Sequence, residues 1–432
     1  MIMKKVGLVS LGCHKNLVDS ENILGLLDRN GYEITNDPAD SDVIIVNTCG
    51  FIESSKRESI GSILEMLSYG KKVVVTGCLA ERYLEDLKRE IPEVDVYIPI
   101  REYSHFNEHF HILDNSVDKT LGVDDDYRIV STGPYTAYLK IGEGCDNRCS
   151  YCAIPLIRGH FVSRDMDEII KEAKDLASNG IKEIVVLEQD TTKYGIDFHN
   201  PDINIVTLLK ELLKIEGLDY IRLLYLYPDE ISDELIELMG HEPRLTPYFD
   251  VPIQHSEDHI LKDMYRRGDK QFLLNLFNKI RKKVPNAILR TTVMVGFPGE
   301  TEEDVDALIE FMNLIKFDHL GCFTYSQEEG TPSAEFDNQV EEDVKKSRMD
   351  RIMKAQQKIS YIQNKKHIGE VMEGLVVGKD HDNYLLRSYW NAPDDVDGKI
   401  YFSSDKPLNN GDKVKVKITG AFVYDLMGEY VA

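Results

Sequence analysis

Three cysteines stand close together near the middle of the chain, in the segment Cys145-Asp-Asn-Arg-Cys149-Ser-Tyr-Cys152. A structural zinc site usually takes two ligands from each of two loops, whereas three thiolates on one C-x3-C-x2-C loop can surround a four-iron cluster. One iron then lacks a protein ligand and is open to a small chelating substrate, as radical chemistry with S-adenosylmethionine requires. A structural zinc ion and three reduced core cysteines are the alternatives that the spacing leaves open.

Three further cysteines, Cys13, Cys49 and Cys78, each follow a short apolar run in the first third of the chain. The runs alternate with amphipathic stretches, which indicates a β/α/β succession with a parallel sheet. The carboxyl ends of parallel strands lie on one edge of a sheet, where ligands of open α/β folds bind, so we expect the three thiols to converge there. The alternative is three unrelated buried cysteines, which are common in protein cores.

A second succession of strands and helices is predicted from about residue 138 to residue 325. Its six strand candidates begin at Tyr138, Glu183, Ile221, Tyr248, Ile288 and His319. Six β/α units make a partial parallel barrel, and the cysteine triplet of residues 145–152 follows the first strand, where the reactive loops of such barrels lie. The turn Gly-Phe-Pro-Gly-Glu-Thr at 296–301 follows the fifth strand. Its Thr301 is a helix N-cap, and we expect its backbone N–H groups to point into the barrel mouth.

The chain changes character after a long charged segment at about 341–367, which predicts a connecting helix. Five short alternating segments separated by Gly, Asn and Asp then predict a small five-stranded β-barrel, a form that often holds nucleic acid. Residues 368–432, however, carry eleven acidic against seven basic side chains, which disfavours binding of a phosphate backbone. The expected organisation is an α/β domain over 1–130, a partial barrel with its connecting helix over 131–367, and a β-barrel over 368–432.

The whole chain of 432 residues is strongly acidic, because 51 Lys and Arg face 75 Asp and Glu and give a net charge of -24. A field of this sign repels nucleic acid and attracts basic surfaces, although it is compatible with a local basic groove. No apolar run approaches the ~20 residues needed to cross a bilayer, and the short apolar start ends at polar residues, so neither a membrane protein nor a signal peptide is expected. Seven cysteines, an odd number, predict a cytoplasmic protein with reduced thiols.

The two cysteine triplets, the partial barrel and the small terminal barrel, in this order, resemble the methylthiotransferases of the radical S-adenosylmethionine superfamily over the whole chain. Within this family, four segments are similar to the branch that modifies an aspartate of the small-subunit ribosomal protein S-twelve rather than an adenosine of transfer RNA. They are Gln189–Gly195, Asp250–His255, Tyr325–Thr331 and Arg387–Gly398. Glu188 departs mildly from the pattern, since relatives more often have a small or neutral residue there.

For Cys145, Cys149 and Cys152 the resemblance implies a [4Fe–4S] cluster that chelates S-adenosylmethionine and, once reduced, splits it to a 5'-deoxyadenosyl radical. The radical would abstract hydrogen from the β-carbon of the substrate aspartate. Tyr151 is similar to the apolar position that packs on the adenine in this superfamily, and a core aromatic is the alternative.

For Cys13, Cys49 and Cys78 the resemblance implies an auxiliary [4Fe–4S] cluster. Its open iron would carry a sulfur that a second S-adenosylmethionine methylates and that is then joined to the carbon radical, so both sites must face one cavity. The terminal barrel would be a TRAM domain, OB-like in form, that recognises the substrate. The implied partners are the basic S-twelve protein, free or on the ribosome, and an electron donor, and no catalytic residue beyond the six cysteines is assigned.

Two other functions stay open from the sequence. One keeps the chemistry and takes transfer RNA as the substrate, and the other is a non-catalytic iron–sulfur or zinc protein. The acidic charge favours a basic protein over RNA as the preferred substrate. The sequence assigns no role to Glu188 or His255, and it predicts that Cys322 is a small buried hydrophobe.

Overall fold

The computed structural model describes residues 4–123, 127–393 and 396–431. Its first part is a five-stranded parallel sheet in the order β2-β1-β3-β4-β5. The strands are β1 (Lys5–Ser10), β2 (Glu33–Ile34), β3 (Val43–Thr48), β4 (Lys72–Gly77) and β5 (Val96–Ile98). The helices are α1 (His14–Arg29), α2 (Glu53–Ser68), α3 (Cys78–Arg82), α4 (Leu84–Glu90) and α5 (Phe106–Phe110). The parallel α/β sheet expected from the apolar runs is therefore confirmed.

Helices cover both faces of this sheet, which explains why every residue of β3 is buried. Ile45 packs with side chains of α1 and α5 in one core. Its neighbours Ile44 and Val46 point to the opposite face and pack with α2, α3 and α4 in a second core. The continuous apolar run of β3 is thus the signature of a strand buried on both sides.

The central part is a partial barrel made of two three-stranded parallel sheets, in the orders β10-β9-β6 and β11-β12-β13. A parallel bridge between Ile221 and Leu245 joins the two sheets. The strands are β6 (Thr136–Lys140), β7 (Gly142–Glu143), β8 (Val162–Ser163), β9 (Glu183–Leu187), β10 (Tyr220–Leu223), β11 (Tyr248–Asp250), β12 (Ile288–Val295) and β13 (His319–Thr324). The short pair β7 and β8 lies outside the barrel wall. The six predicted barrel strands are all present, which confirms the six-unit barrel.

Helices connect the barrel strands. They are α6 (Ile154–Arg158), α7 (Met166–Ser178), α8 (Ile205–Leu212), α9 (Asp233–His241), α10 (Asp258–Asp263), α11 (Lys270–Lys283) and α12 (Glu302–Ile315). Short 3-10 helices lie at Pro38–Asp40, Ile100–His105, Thr191–Lys193, Ile196–Phe198, Pro228–Glu230 and Pro332–Glu335. Thr301 caps α12 in a capping box with Asp304, as the sequence predicts.

The last part begins with the connecting helix α13 (Glu342–Lys365) and continues as a closed five-stranded barrel in the order β14-β15-β16-β18-β17. Its strands are β14 (Val371–Asp380), β15 (Asn383–Ser388), β16 (Ile400–Ser403), β17 (Lys413–Ala421) and β18 (Leu426–Val431). The first seven residues of β17 alternate between exposed and buried side chains, which is the pattern of a strand with one face in a barrel core. The predicted small barrel is confirmed, and no helix within the described ranges is long and apolar enough to cross a membrane.

The described residues between β15 and β16, which are 389–393 and 396–399, lie at the amino end of the central barrel. Trp390 in this loop is fully buried, and its ring meets that of His319 edge to face at 4.8 Å. The hydroxyl of Tyr248 donates to Asp397 at 2.6 Å. His319 and Tyr248 each begin a barrel strand, so the terminal barrel docks opposite the carboxyl ends of the barrel strands. Two residues of the predicted motif, Asp394 and Asp395, lie outside the described residues.

Candidate functional site

Three adjacent strands of the first sheet bring Cys13, Cys49 and Cys78 to one edge. Cys13 precedes α1, Cys49 directly follows β3, and Cys78 directly follows β4 as the first residue of α3. Burial raises the pKa of Cys49, and burial raises the pKa of Cys78 to about 11. The charge of the neighbouring Cys13 raises both pKa values further. The three thiols are therefore close enough to repel one another as thiolates, as ligands of one cluster must be.

Cys145, Cys149 and Cys152 lie on the loop between β7 and α6. Arg148 has the left-handed backbone angle φ 53, which turns the chain between the cysteines. Burial raises the pKa of Cys145 to about 11 and that of Cys152 further, and the charge of Cys149 adds to both shifts. The loop thus directs its three thiols towards one another.

The segment Gln189–Gly195, at the end of β9, holds this cysteine loop in place. Asn147 in the loop donates a hydrogen bond to Asp190 at 2.7 Å. Asp190 is buried, and burial raises the pKa of its carboxyl group. One of the segments that carried the family resemblance therefore acts as a structural support for the cysteine loop.

The donor sets fit iron–sulfur clusters. The ligands of one zinc ion all lie about 2.0–2.3 Å from it, whereas each cysteine of a four-iron cluster binds a different iron. Two all-thiol triplets of free cysteines are the soft donor sets that iron–sulfur clusters use.

Arg158, the last residue of α6, links the barrel to the first sheet beside Cys78. Its Nη2 lies 3.4 Å from the Sγ of Cys78, and its Nη1 donates to Asp19 of α1 at 2.7 Å. Asp19 also accepts from Lys140 of β6 at 2.6 Å. Burial alone would raise the pKa of Asp19, but Lys140 and Arg158 outweigh it and lower the pKa. The first sheet and the barrel therefore meet through a buried network of ion pairs beside the candidate cluster ligands.

A second contact between the two parts involves Glu328 in the segment Tyr325–Thr331. Its carboxylate accepts from Arg82 of α3 at 2.8 Å and pairs with Lys56 of α2 at 3.0 Å. Glu328 is buried, so this pair is shielded from solvent. The carboxyl edge of the first sheet thus faces the carboxyl ends of the barrel strands, which places both triplets at one mouth.

The residues directly after Cys13 reach into the barrel mouth. The ring of His14 stacks on Tyr138 at 4.4 Å. The ammonium group of Lys15 lies 4.4 Å from the ring centre of Tyr225 and donates to the backbone oxygen of Glu188 at 3.4 Å. Sequence reasoning assigned no site role to these positions, although their place beside a candidate ligand is a signal that could have identified them.

Glu188 stands at the carboxyl end of β9 with its side chain fully buried. Neither of its carboxyl oxygens has a hydrogen-bond partner. Burial raises the pKa of Glu188 to about 8, and Glu143 adds to the shift while Lys15 opposes it. A buried carboxyl group without partners is uncommon, and it marks this position as more than a packing residue.

Two further positions named from the sequence have clear packing roles. Tyr151 packs against a small cluster that contains Phe297 and Tyr325, and burial raises the pKa of its hydroxyl group. Contact with an adenine remains a prediction. Cys322 is half-buried on β13 and packs against the main core of the barrel, as expected for a small hydrophobe.

His255 lies against the turn at 296–301. The Nε2 of His255 lies 3.3 Å from Glu300, and both side chains are fully buried. Glu300 also accepts from Arg348 and from the backbone N–H of Gly296, and the N–H of Gly299 donates to Asn338. The expectation that the N–H groups of this turn point into the mouth is therefore wrong for both glycines, because Gly296 donates to Glu300 of the same turn and Gly299 donates to Asn338.

Comparison with known proteins shows relatives over nearly the whole chain. The ribosomal protein uS12 methylthiotransferase RimO of Desulforamulus reducens is 48% identical, with 99% of each chain covered. The proteins of the same name from Acetivibrio thermocellus and Clostridioides difficile are each 46% identical, over 99% of this chain and 98% and 99% of their own. This chain belongs to the RimO family.

Family models divide this RimO-family chain into three matched segments. Residues 5–99 match the uncharacterized protein family UPF0004, residues 139–312 match the radical SAM superfamily, and residues 368–431 match the TRAM domain. Among solved structures, the radical S-adenosylmethionine methyltransferase TsrM from Kitasatospora setae has a similar fold. Its TM-score is 0.57 at 15% identity, with 77% of each chain covered.

Proposed function

We propose that this chain is a radical S-adenosylmethionine methylthiotransferase that adds a methylthio group to the β-carbon of an aspartate in ribosomal protein uS12. The observation that carries the proposal is that Cys78 of the first triplet packs against Ala153 and Ile157, directly after the second triplet, in a chain of the RimO family. Such an arrangement suits a reaction that needs both a radical and a sulfur donor.

The six cysteines would hold two [4Fe–4S] clusters, with S-adenosylmethionine as the second cofactor. Cys145, Cys149 and Cys152 would ligate the cluster that binds S-adenosylmethionine, and the triplet of the first sheet would ligate the auxiliary one. When bound, these groups supply the radical that removes hydrogen from an unactivated C–H bond and the sulfur that replaces it.

The residues of the chain itself orient and shield these sites. Arg158 links the first sheet to the barrel, because it is bonded to Cys78 on one side and belongs to α6 of the barrel on the other. Cys49, Cys78, Cys145 and Cys149 are buried, and their burial limits access of water to reactive groups. The mouth is thereby suited to radical chemistry that solvent would quench.

The substrate and partners follow from charge and family. A net charge of -24 attracts a basic protein such as uS12 and disfavours RNA. The electron donor and the cytoplasmic location are parts of the same proposal. So is the division into 1–130, 131–367 and 368–432, which the gap between the matched segments 5–99 and 139–312 and the start of the third at 368 support.

The proposal is tested by anaerobic assay of the reconstituted enzyme with purified uS12 and, separately, with transfer RNA. Mass spectrometry should find one methylthio group on an aspartate-containing peptide of uS12 and none on the RNA. The reverse result would contradict the substrate. Protein purified with zinc and without iron or acid-labile sulfide would contradict the radical chemistry.

The roles of the two triplets are tested by replacing Cys13, Cys49 and Cys78 together by alanine. The variant should still cleave S-adenosylmethionine, because Cys145, Cys149 and Cys152 are intact, but it should transfer no methylthio group. Cys322→Ala is the matched control and should keep both activities. Loss of cleavage in a variant whose remaining cluster is fully assembled would contradict this division of roles.

A further inference from the structure

Lys15 is a buried cation that forms no ion pair within the described residues, although its charge acts on the neighbouring carboxyl group of Glu188. Its exposure is 7%, and in the described part of the chain its ammonium group contacts only a backbone oxygen at 3.4 Å and the face of Tyr225 at 4.4 Å. The nearby Lys140, equally buried, contacts Asp19 at 2.6 Å. Buried ammonium groups normally form an ion pair, as Lys140 does, because an unpaired buried charge is costly.

Glu188 is the carboxyl group nearest to this cation in the electrostatic sense, since the charge of Lys15 acts on it. Both of its carboxyl oxygens are buried and without a hydrogen bond. Glu183 at the opposite end of the same strand is equally buried, but it pairs with Arg222 at 3.0 Å. Of the two buried glutamates at the ends of β9, Glu183 at the end away from the barrel mouth therefore has an ion-pair partner, and Glu188 at the mouth forms none.

The position of Lys15 relates it to both triplets. It stands two residues after Cys13, and its charge acts on the thiol of Cys152, whose pKa it lowers against the stronger effect of burial. Of the other cations of this region, Lys140 and Arg158 are both bonded to Asp19 and to Glu143. Arg266 lies beside Cys149 and over the ring of Tyr227. Lys15 is thus a cation placed to receive an anion that enters between the triplets.

We infer that Lys15 binds the side-chain carboxylate of the substrate aspartate, with Glu188 as a second polar contact, and that this pair selects an acidic side chain over a neutral one. The inference rests on the proposed function and adds a binding site to it. The carboxylate is attached directly to the β-carbon, so a cation that holds it also positions the reacting carbon.

The neighbours of the pair are consistent with this role. The raised pKa of Glu188 keeps a proton on its carboxyl group near neutral pH, which lets it donate to a carboxylate instead of repelling it. A neutral amide or a nucleobase would leave the ammonium group of Lys15 uncompensated, and buried groups left unpaired are what give polar sites their selectivity.

The test measures equilibrium binding of fluorescently labelled uS12 to the anaerobically reconstituted enzyme with S-adenosylmethionine and without a reductant. Unaltered uS12 is compared with uS12 whose target aspartate is replaced by asparagine. The unaltered enzyme should prefer the aspartate form by about tenfold or more, since a charge-assisted hydrogen bond is lost with asparagine. Lys15→Met should bind both forms with equal affinity, and Lys15→Arg should retain a preference.

Lys210→Met is the matched control, because Lys210 is a surface lysine of α8 paired with Glu234, and it should keep the full preference. Binding of S-adenosylmethionine to Lys15→Met, measured by equilibrium dialysis, should be unchanged. Loss of that binding would overturn the inference by assigning Lys15 to the cofactor. So would a folded Lys15→Met that still prefers aspartate.

The comparison of the two uS12 forms on the unaltered enzyme does not depend on any variant folding, and equal affinities there would overturn the inference outright. Failure of the proposed function gives a different result. In that case the unaltered enzyme would not methylthiolate uS12 at all, whereas failure of the present inference leaves this modification intact.

Discussion

Arg158 carries a positive charge into the contact between the first sheet and the barrel. Its side chain is 2% exposed, and it pairs with Asp19 at 2.7 Å and with Glu143 at 3.1 Å. Such a buried network contributes little net energy when it is complete. Removal of one charged residue from the network is strongly destabilising, because the opposite charges then stay buried without an ion-pair partner.

Replacing Arg158 by methionine should therefore lower the free energy of unfolding by about 3–5 kcal/mol, measured by thermal or chemical denaturation. Arg57→Met is the matched control. Arg57 is 79% exposed on α2 and pairs with Glu53 in the same helix, so its loss should cost about 1 kcal/mol or less. An Arg158→Met variant as stable as the parent would show that the network adds nothing to the interface.

The raised pKa of Glu188 predicts that the stability of the protein depends on pH. Its pKa in the folded chain is about 8, above the value of about 4.3 for an unfolded glutamate. The raised pKa means that the folded state favours the protonated form. The free energy of unfolding therefore contains the full contribution of this group below about pH 4, and this contribution is lost as the pH rises to about 8.

Glu188→Gln should therefore gain stability relative to the parent as the pH rises from about 5 to 8, by a few kcal/mol at the upper end. Melting temperatures of both proteins across this pH range measure the difference. A difference that is constant with pH would mean that Glu188 titrates as an exposed carboxyl group does.

At the scale of elements, the turn from β1 to α1 is built around a glycine. Gly12 has φ +87, and a Cβ at this position would lie 2.7 Å from the Cβ and 2.9 Å from the Sγ of Cys49. A side chain is therefore excluded both by the backbone conformation and by the neighbouring thiol. The close approach brings the first two candidate ligands of the auxiliary cluster together.

Gly12→Ala should displace Cys49 and lose the iron and sulfide of the auxiliary site, while cleavage of S-adenosylmethionine continues at the other triplet. Gly31→Ala is the matched control, since Gly31 has φ +82 with nothing within 4 Å of its added Cβ. It should cost about 1–2 kcal/mol from the backbone alone and keep all the iron. Full iron and sulfide in Gly12→Ala after anaerobic reconstitution would contradict the prediction.

At the scale of the whole molecule, the terminal barrel packs on the central barrel through residues between its strands β15 and β16. Trp390 is fully buried, its backbone oxygen contacts His319 at 2.8 Å, and Arg222 of β10 donates to Ser388 at 2.7 Å. These contacts close the amino end of the central barrel. The terminal barrel is therefore packed directly against the central barrel, at the end away from the two cysteine triplets.

Trp390→Ala should lower the free energy of unfolding by about 3–5 kcal/mol and make the terminal barrel susceptible to limited proteolysis. The control is Tyr424→Ala, because Tyr424 is an aromatic residue of the same barrel that is 40% exposed. Its replacement should change stability by about 0.5 kcal/mol or less. A Trp390→Ala variant that resists proteolysis as well as the parent would show that other contacts hold the barrel.

Much of the architecture could be predicted because it depends on local patterns. The apolar runs that became β3 and β4 are buried on both faces, so their composition identifies them without reference to the rest of the chain. The alternation in β17 likewise identifies a strand of a small barrel. The turn at 296–301 was predicted less well, because Gly296 donates to the side chain of Glu300 in the turn and Gly299 donates to the backbone of Asn338 outside it, and the motif shows neither bond.

The sequence by itself determined the two cysteine triplets, the order of the three parts and the acidic charge, since spacing and composition are properties of the chain alone. Only the tertiary structure decided what stands beside the thiols. Arg158 and Cys78 are 80 residues apart, and Lys15 and Glu188 are 173 apart. Contacts at such separations arise because the carboxyl edge of the first sheet packs against the mouth of the central barrel. A local sequence pattern cannot predict which buried side chains lack a partner after this packing.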